Sequence, residues 1–202
     1  MMMNTKPMFW TTTHNAMLLS TFVALGRIFD QNSRHNFAKL ILAVSRNLSA
    51  FSLTGLACRK QRAGLTQREA EQYVAGMHEL SSNDLTQLRK EIAHWRRIYE
   101  SRYRAVRDKV FAHRVFSNMS EADELFAGTD VNEMMALFGF LSGLYSALWG
   151  AYHNGFQPSV RVYEFVLPPD PPLQGRQMFP GERIYREARE IITSIALEGL
   201  HN

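Results

Sequence analysis

Residues 107–114 read Arg107-Asp108-Lys109-Val110-Phe111-Ala112-His113-Arg114 and close the most basic helical stretch of the chain. Upstream, Leu85, Leu88, Ile92, Trp95, Tyr99, Val106, Val110 and His113 recur at three- and four-residue steps, with one imperfect step near 102–103. That periodicity predicts a bundle helix with a single inward stripe, ending around Val115. The octet at its end concentrates chemistry. Histidine moves a proton near neutral pH. Arginine keeps its charge and grips phosphate oxygens with a planar fork of donors.

Outward from this helix the same three- to four-residue period dominates, and strand-like alternation is scarce. Helices are expected over about Met8–Gln31, Phe37–Val44 and Ser49–Lys60. Thr66-Gln-Arg-Glu69 is a capping box opening the next one. That helix fades at Ser81-Ser82-Asn83, where Ser82 or Asn83 caps the basic helix. After it, Asn118-Met-Ser120-Glu121 begins a polar acidic loop. Met134 to Val160 contains no charged residue, and Met134–Tyr152 alone is 19 residues, long enough to span a bilayer. Its Gly139 and Gly143 suit a close helix–helix contact. Gly, Ser, Tyr and Trp interrupt it and no basic cluster flanks it, so a central bundle helix over about Val131–Asn154, buried on most sides and ended by Gly155, is expected instead. Val160–Leu167 suits a short extended edge. Pro168-Pro-Asp-Pro-Pro172 forbids regular structure, and Gly181–Leu197 has the pattern of a last amphipathic helix. The fold class is therefore all-α, a bundle over 1–167 followed by a Pro-rich linker and C-terminal helix over 168–202.

Length and composition fit one globular domain with a tail. The net charge is only +4, but residues 86–115 hold nine Lys or Arg against three acids, a local +6 that leaves −2 for the rest. Residues 117–133 carry five acids and no base. A basic stripe beside an acidic segment fits a phosphate-binding footprint, and it also fits a solvated helix face. Cys58 is the only cysteine, so no internal disulfide forms; a buried small side chain in a reducing cytoplasm is expected. Ala16–Gly26 loosely imitates a signal peptide. However, His14 and Asn15 precede it, and Arg27 and Asp30 follow without a small-residue cleavage site, which favours an ordinary first helix.

The spacing Arg107-Asp108-(four residues)-His113 resembles the Arg-polar-x-His signature of the HEPN superfamily, whose spacer varies in length. Its wording is most similar to the abortive-infection, AbiU-like branch, as is Ala24-Leu25-Gly26-Arg27-Ile28-Phe29-Asp30 with the first helix of that branch. The resemblance covers the first 115 residues and hardly touches the last 50. It implies a helical bundle that dimerises, and an RNase or the toxic half of a defence or toxin–antitoxin pair. It further implies a cognate antitoxin or a nucleotidyltransferase-type protein as partner; the character of residues 134–160 argues against a membrane, and no cofactor is expected.

On the residues themselves, His113 continues the apolar stripe and would face inward or into an interface, where a core histidine is the plain alternative. Arg107 lies six residues earlier, about 9 Å along an ideal helix and roughly 120° around it, so the two do not share a face. A reaching Arg side chain, distortion near the helix end, or a composite site across a two-fold axis would each reconcile them. The expected reaction is attack of a ribose 2′-OH on the adjacent phosphate. His113 would be general base or acid, Arg107 would stabilise the phosphoryl charge, and Asp108 would orient either or pair with a neighbouring cation. Arg104, Lys109 and Arg114 would hold RNA phosphates and Tyr103 would stack on unpaired bases, whereas Tyr99 suits the core. Glu91-x-x-His94 and Glu198-x-x-His201 have a metal-bundle spacing, but partner carboxylates are not evident, so no metal is expected. The alternative to an RNase is a HEPN-like bundle that binds RNA or protein without catalysis, for example one that neutralises a toxin.

Overall fold

The computed structural model describes residues 7–112, 119–164 and 186–190. The chain divides into two units, Thr21–Glu164 and a second made from both ends, Met1–Ser20 with Phe165–Asn202. The expected boundary at 167/168, the Pro-rich stretch, His113, Arg114 and the Glu198/His201 pair lie outside the described residues, as does most of the last predicted helix, of which residues 186–190 are helical.

All regular structure among the described residues is helical: α1 (Pro7–Phe29), α2 (Phe37–Arg46), a 3₁₀ turn at Leu48–Phe51, α3 (Leu53–Arg62), α4 (Gln67–Val74), α5 (Ser82–Ile98), α6 (Met119–Ala127) and α7 (Val131–Asn154). The caps explain most of these boundaries. Thr66 and Glu69 form the anticipated box at the start of α4. The cap of α5 is Ser81, one residue earlier than expected, because Asp84 completes a second box with it and also takes a 2.8 Å contact from His78. Asp130 accepts from the Asn132 and Glu133 amides to begin α7, and Gly155 ends it in the left-handed region at φ 66°.

Aromatic rings bridge the helices in the core of the Thr21–Glu164 unit. From α1, Phe22, Leu25 and Phe29 are buried at helical spacing. Phe22 packs against Phe111, Phe126 and Tyr103. Phe29 stacks on Tyr99 at 5.2 Å, and Phe140 of α7 stacks on Trp95 at 5.4 Å. Each such pair adds roughly 0.5–1.5 kcal/mol to the area it buries.

Five expectations change. The acidic stretch after residue 118 contains a helix, α6, which α-helix propensity alone understated because Ala122 and Phe126 are anchored by tertiary packing. Cys58 is exposed on α3. Residues 155–164 form no strand, and in the described part of the expected edge Tyr163 N–H donates to the Gly139 carbonyl at 3.0 Å. That contact also corrects the reading of Gly139 and Gly143. A Cβ on Gly139 would lie 2.3 Å from the Tyr163 carbonyl oxygen, and one on Gly143 would lie 2.0 Å from that of Arg161. The two glycines seat this extended segment, not another helix. α7 is long and apolar enough to cross a membrane, yet it is neither buried on most sides nor wholly open. Its Leu137, Phe140, Leu144, Ala147 and Ala151 lie in the core, while Tyr145 and Trp149 face outward.

Candidate active site around Arg107

After Ile98 the basic helix does not continue as a plain α-helix. Tyr99–Tyr103 and Val106–Ala112 are π-helical, with two α residues between them. Hydrogen bonds there run i→i+5, so each turn takes in an extra residue, a geometry often found at functional sites. The angular argument that separates positions 107 and 113 on an ideal α-helix therefore does not apply to 106–112. Tyr103 fills the imperfect step in the stripe: Tyr99, Tyr103 and Val106 are all buried.

Arg107 is held from two sides. Its Nε donates to Asp108 Oδ1 at 2.7 Å, and a terminal nitrogen pairs with the same oxygen. Nη1 donates to Asp30 Oδ2 at 3.3 Å, and Nη2, shared with Asp108, lies 3.4 Å from the same oxygen. Gly26 of α1 makes this approach possible, since a Cβ there would lie 2.4 Å from Arg107 Cδ. Asp108 is shared, for Arg104 Nε lies 3.5 Å from its second oxygen. Two cations and two carboxylates thus form one near-neutral cluster, with the Arg107 side chain only 18% exposed.

The electrostatics follow from that cluster. The Asn32 amide, which donates to Asp30 Oδ1, is the main reason the Asp30 carboxyl sits below its ordinary value; burial opposes this and Arg107 reinforces it. Burial works against the charge on Arg107, yet the bond to Asp108, with Tyr99, Asp108 and Asp30 nearby, outweighs it and raises the guanidinium further. The Tyr99 hydroxyl is buried without a hydrogen-bond partner, and burial pushes it up to about 12. A phosphate oxygen arriving here would displace the long Asp30 contact more readily than the short Asp108 bond.

The predicted residues separate into groups. Arg107, Asp108 and Arg104 come together. Lys109 is half exposed and pairs with Glu121 of α6 at 3.3 Å. Tyr103 is not a stacking platform: it is fully buried, and its hydroxyl donates to the Asp130 carbonyl at 2.8 Å. His113 and Arg114 lie outside the described residues. Among the described residues no three His, Cys, Asp or Glu side chains form a cluster that could hold a metal ion.

Gly26 and Asp30 were missed as site residues. Two signals could have found them: a glycine inside a helix, which costs about 1 kcal/mol against Ala, and an acid at a helix C-terminus, where the macrodipole disfavours it unless a cation is near.

No curated protein and no solved structure matches the chain. The model of the HEPN family AbiU2 matches residues 1–170, a span that contains the Arg107 cluster together with Gly26 of α1 and Asp30 just after it. By that match, and by its all-helical fold, the chain belongs to the AbiU2 branch of the HEPN superfamily.

Proposed function

We propose that the protein is a metal-independent endoribonuclease of a defence or toxin–antitoxin system, acting as a homodimer in the cytoplasm. The observation that carries this reading is Arg107 itself. It is a guanidinium fixed by Asp108 and Asp30 on a π-helical turn, not a loose surface charge. Fixing a cation before substrate arrives is what transition-state stabilisation requires, because no reorganisation is then needed as charge develops. In the proposed reaction a 2′-OH attacks the neighbouring phosphorus and loses its proton to a base. The 5′-oxygen leaves with a proton from an acid, giving a cyclic phosphate and a free 5′-OH. His113 supplies the base or the acid, and a second copy of the chain supplies the remaining basic groups across a two-fold axis. Arg104, Lys109 and Arg114 meet flanking phosphates.

One observation favours a second reading. Asp30 and Asp108 already match the charge of Arg107 and Arg104, which suits a bundle that binds RNA or a toxin without cutting anything. Cleavage of single-stranded RNA in EDTA separates the two. His113→Ala is expected to lose about 10²–10⁴ in rate, as for a missing acid–base group. Arg107→Lys keeps the charge but not the fork, and is expected to retain affinity while losing most of kcat. Intact RNA after prolonged incubation with wild type would establish the non-catalytic reading.

A further inference from the structure

Three rings stand in a row on the outer face of α7, at positions i, i+4 and i+8. Tyr145 stacks on Trp149 at 5.8 Å between centroids, and Trp149 lies 3.8 Å from His153. Tyr145 is 64% exposed and Trp149 51%. An indole and a phenol left in water on a helix that buries its opposite face mark a surface with an occupant.

The row walls one side of a groove of about 810 Å³ whose other wall is α2. Leu40, Val44 and Phe51 contribute apolar surface, and Arg34, His35 and Lys39 stand exposed at the rim. Among the described residues no Asp or Glu lines the groove. Arg34 has no acidic partner among the described residues, and Lys39 Nζ donates only to the Ser33 carbonyl. The stretch 30–36, locked by the Asn36 side chain bonding to Gln31 and Ser33, provides Asp30 to the Arg107 cluster and Arg34 and His35 to the groove. The two sites are therefore neighbours along the chain.

We propose that this groove binds single-stranded RNA, with unpaired bases against the Tyr145–Trp149–His153 row and phosphates at Arg34 and Lys39. Bases present flat apolar faces to rings, and the backbone presents anions to unpaired cations; the groove offers both and nothing acidic to oppose them. A duplex has no free base faces to give. A second copy of the chain is the poorer fit, since an isologous contact centred here brings the rim cations of both copies together with no acid to pair them. The proposal extends the ribonuclease reading by giving the substrate a place to be held, but binding does not depend on cleavage.

The test is fluorescence anisotropy of a labelled ten-residue oligouridine with full-length His113→Ala protein in EDTA. The oligomer is expected to bind, and duplex RNA is expected not to compete. Tyr145→Ala and Trp149→Ala should each weaken binding about 5- to 150-fold, the effect of losing one stacked base, while Trp149→Phe keeps most of the affinity. Arg34→Gln should flatten the log–log salt dependence by about one. If Trp149→Ala fails to fold by circular dichroism, Arg34→Gln and Lys39→Gln at the exposed rim decide the matter alone. Unchanged affinity in the folded variants overturns the proposal. If Trp149→Ala also converts a dimer to a monomer with affinity intact, the face joins copies instead. A wild-type protein that binds through Trp149 and never cuts overturns the ribonuclease reading and leaves the groove standing. One that cuts with Trp149 indifferent does the reverse.

Discussion

α5 with its continuation and α7 are the two long helical runs of the Thr21–Glu164 unit, and they are built on opposite plans. α7 keeps regular α geometry for 24 residues, is capped at both ends, and packs one side with small residues and Phe140. The α5 run starts from a full capping box but passes into π geometry at Tyr99, and on its second π turn Arg107 meets Gly26 of α1 and Asp30 just beyond it. Regularity in α7 serves packing and leaves the polar work to whatever lies on its open face. Irregularity after α5 keeps Tyr99, Tyr103 and Val106 in the core while Arg104, Arg107 and Asp108 form an ionic cluster beside them. The departure from ideal helix coincides with the residues proposed to carry the chemistry.

The largest effect should come from the regular helix. Phe140→Ala removes a fully buried ring that stacks on Trp95, and is expected to cost about 3–5 kcal/mol in urea unfolding. A loss comparable to a surface substitution would mean α7 is not the packing element described. Next, Gly26→Ala should destabilise by about 1–3 kcal/mol through overpacking against Arg107, and should depress RNA cleavage as Arg107→Lys does. A gain in stability, the ordinary outcome of Gly→Ala inside a helix, would show that Arg107 does not rest there. Tyr99→Phe deletes a buried hydroxyl with no partner, so stability should hold or rise by about 1 kcal/mol; a clear loss would assign that hydroxyl a function beside Arg107. The smallest effect is in pH dependence. Asp30 has a folded-state value below the ordinary 3.8, so its contribution is present above that pH and is lost as pH falls through the depressed value. Stability of wild type and Asp30→Asn, measured from neutral pH downward, should therefore converge in acid. Parallel curves would detach Asp30 from the ion pair.

Much of the bundle is written in local signals. The Thr66–Glu69 box, Gly155 and the apolar period of α7 each act over a few residues, and each is where the sequence places it. What escaped is set by distant partners. α6 is held by Phe126 meeting Phe22 of α1. Tyr103 looks like a stacking ring until the Asp130 carbonyl takes its hydroxyl. Gly139 and Gly143 have the spacing of a helix contact, and only the fold shows that residues 161–163 occupy it. In the site, Arg104, Arg107 and Asp108 are near in sequence and so were legible. Asp30 lies 77 positions from Arg107, and no spacing rule links them. The π turns left one trace, the faltering step near 102–103, because an added residue per turn shifts the stripe without erasing it.

The π turn at Val106–Ala112 also bears on how such a chain can change over generations. A regular helix passes every insertion on as a rotation of all that follows, which scrambles a packed face. A stretch already wound i→i+5 can gain or shed a residue by exchanging π for α winding locally, without unthreading the bundle. The interval after Arg107 is the one whose length varies among proteins bearing the HEPN signature, and here it begins on backbone suited to that exchange. The arginine can stay anchored to α1 while the count of residues beyond it drifts.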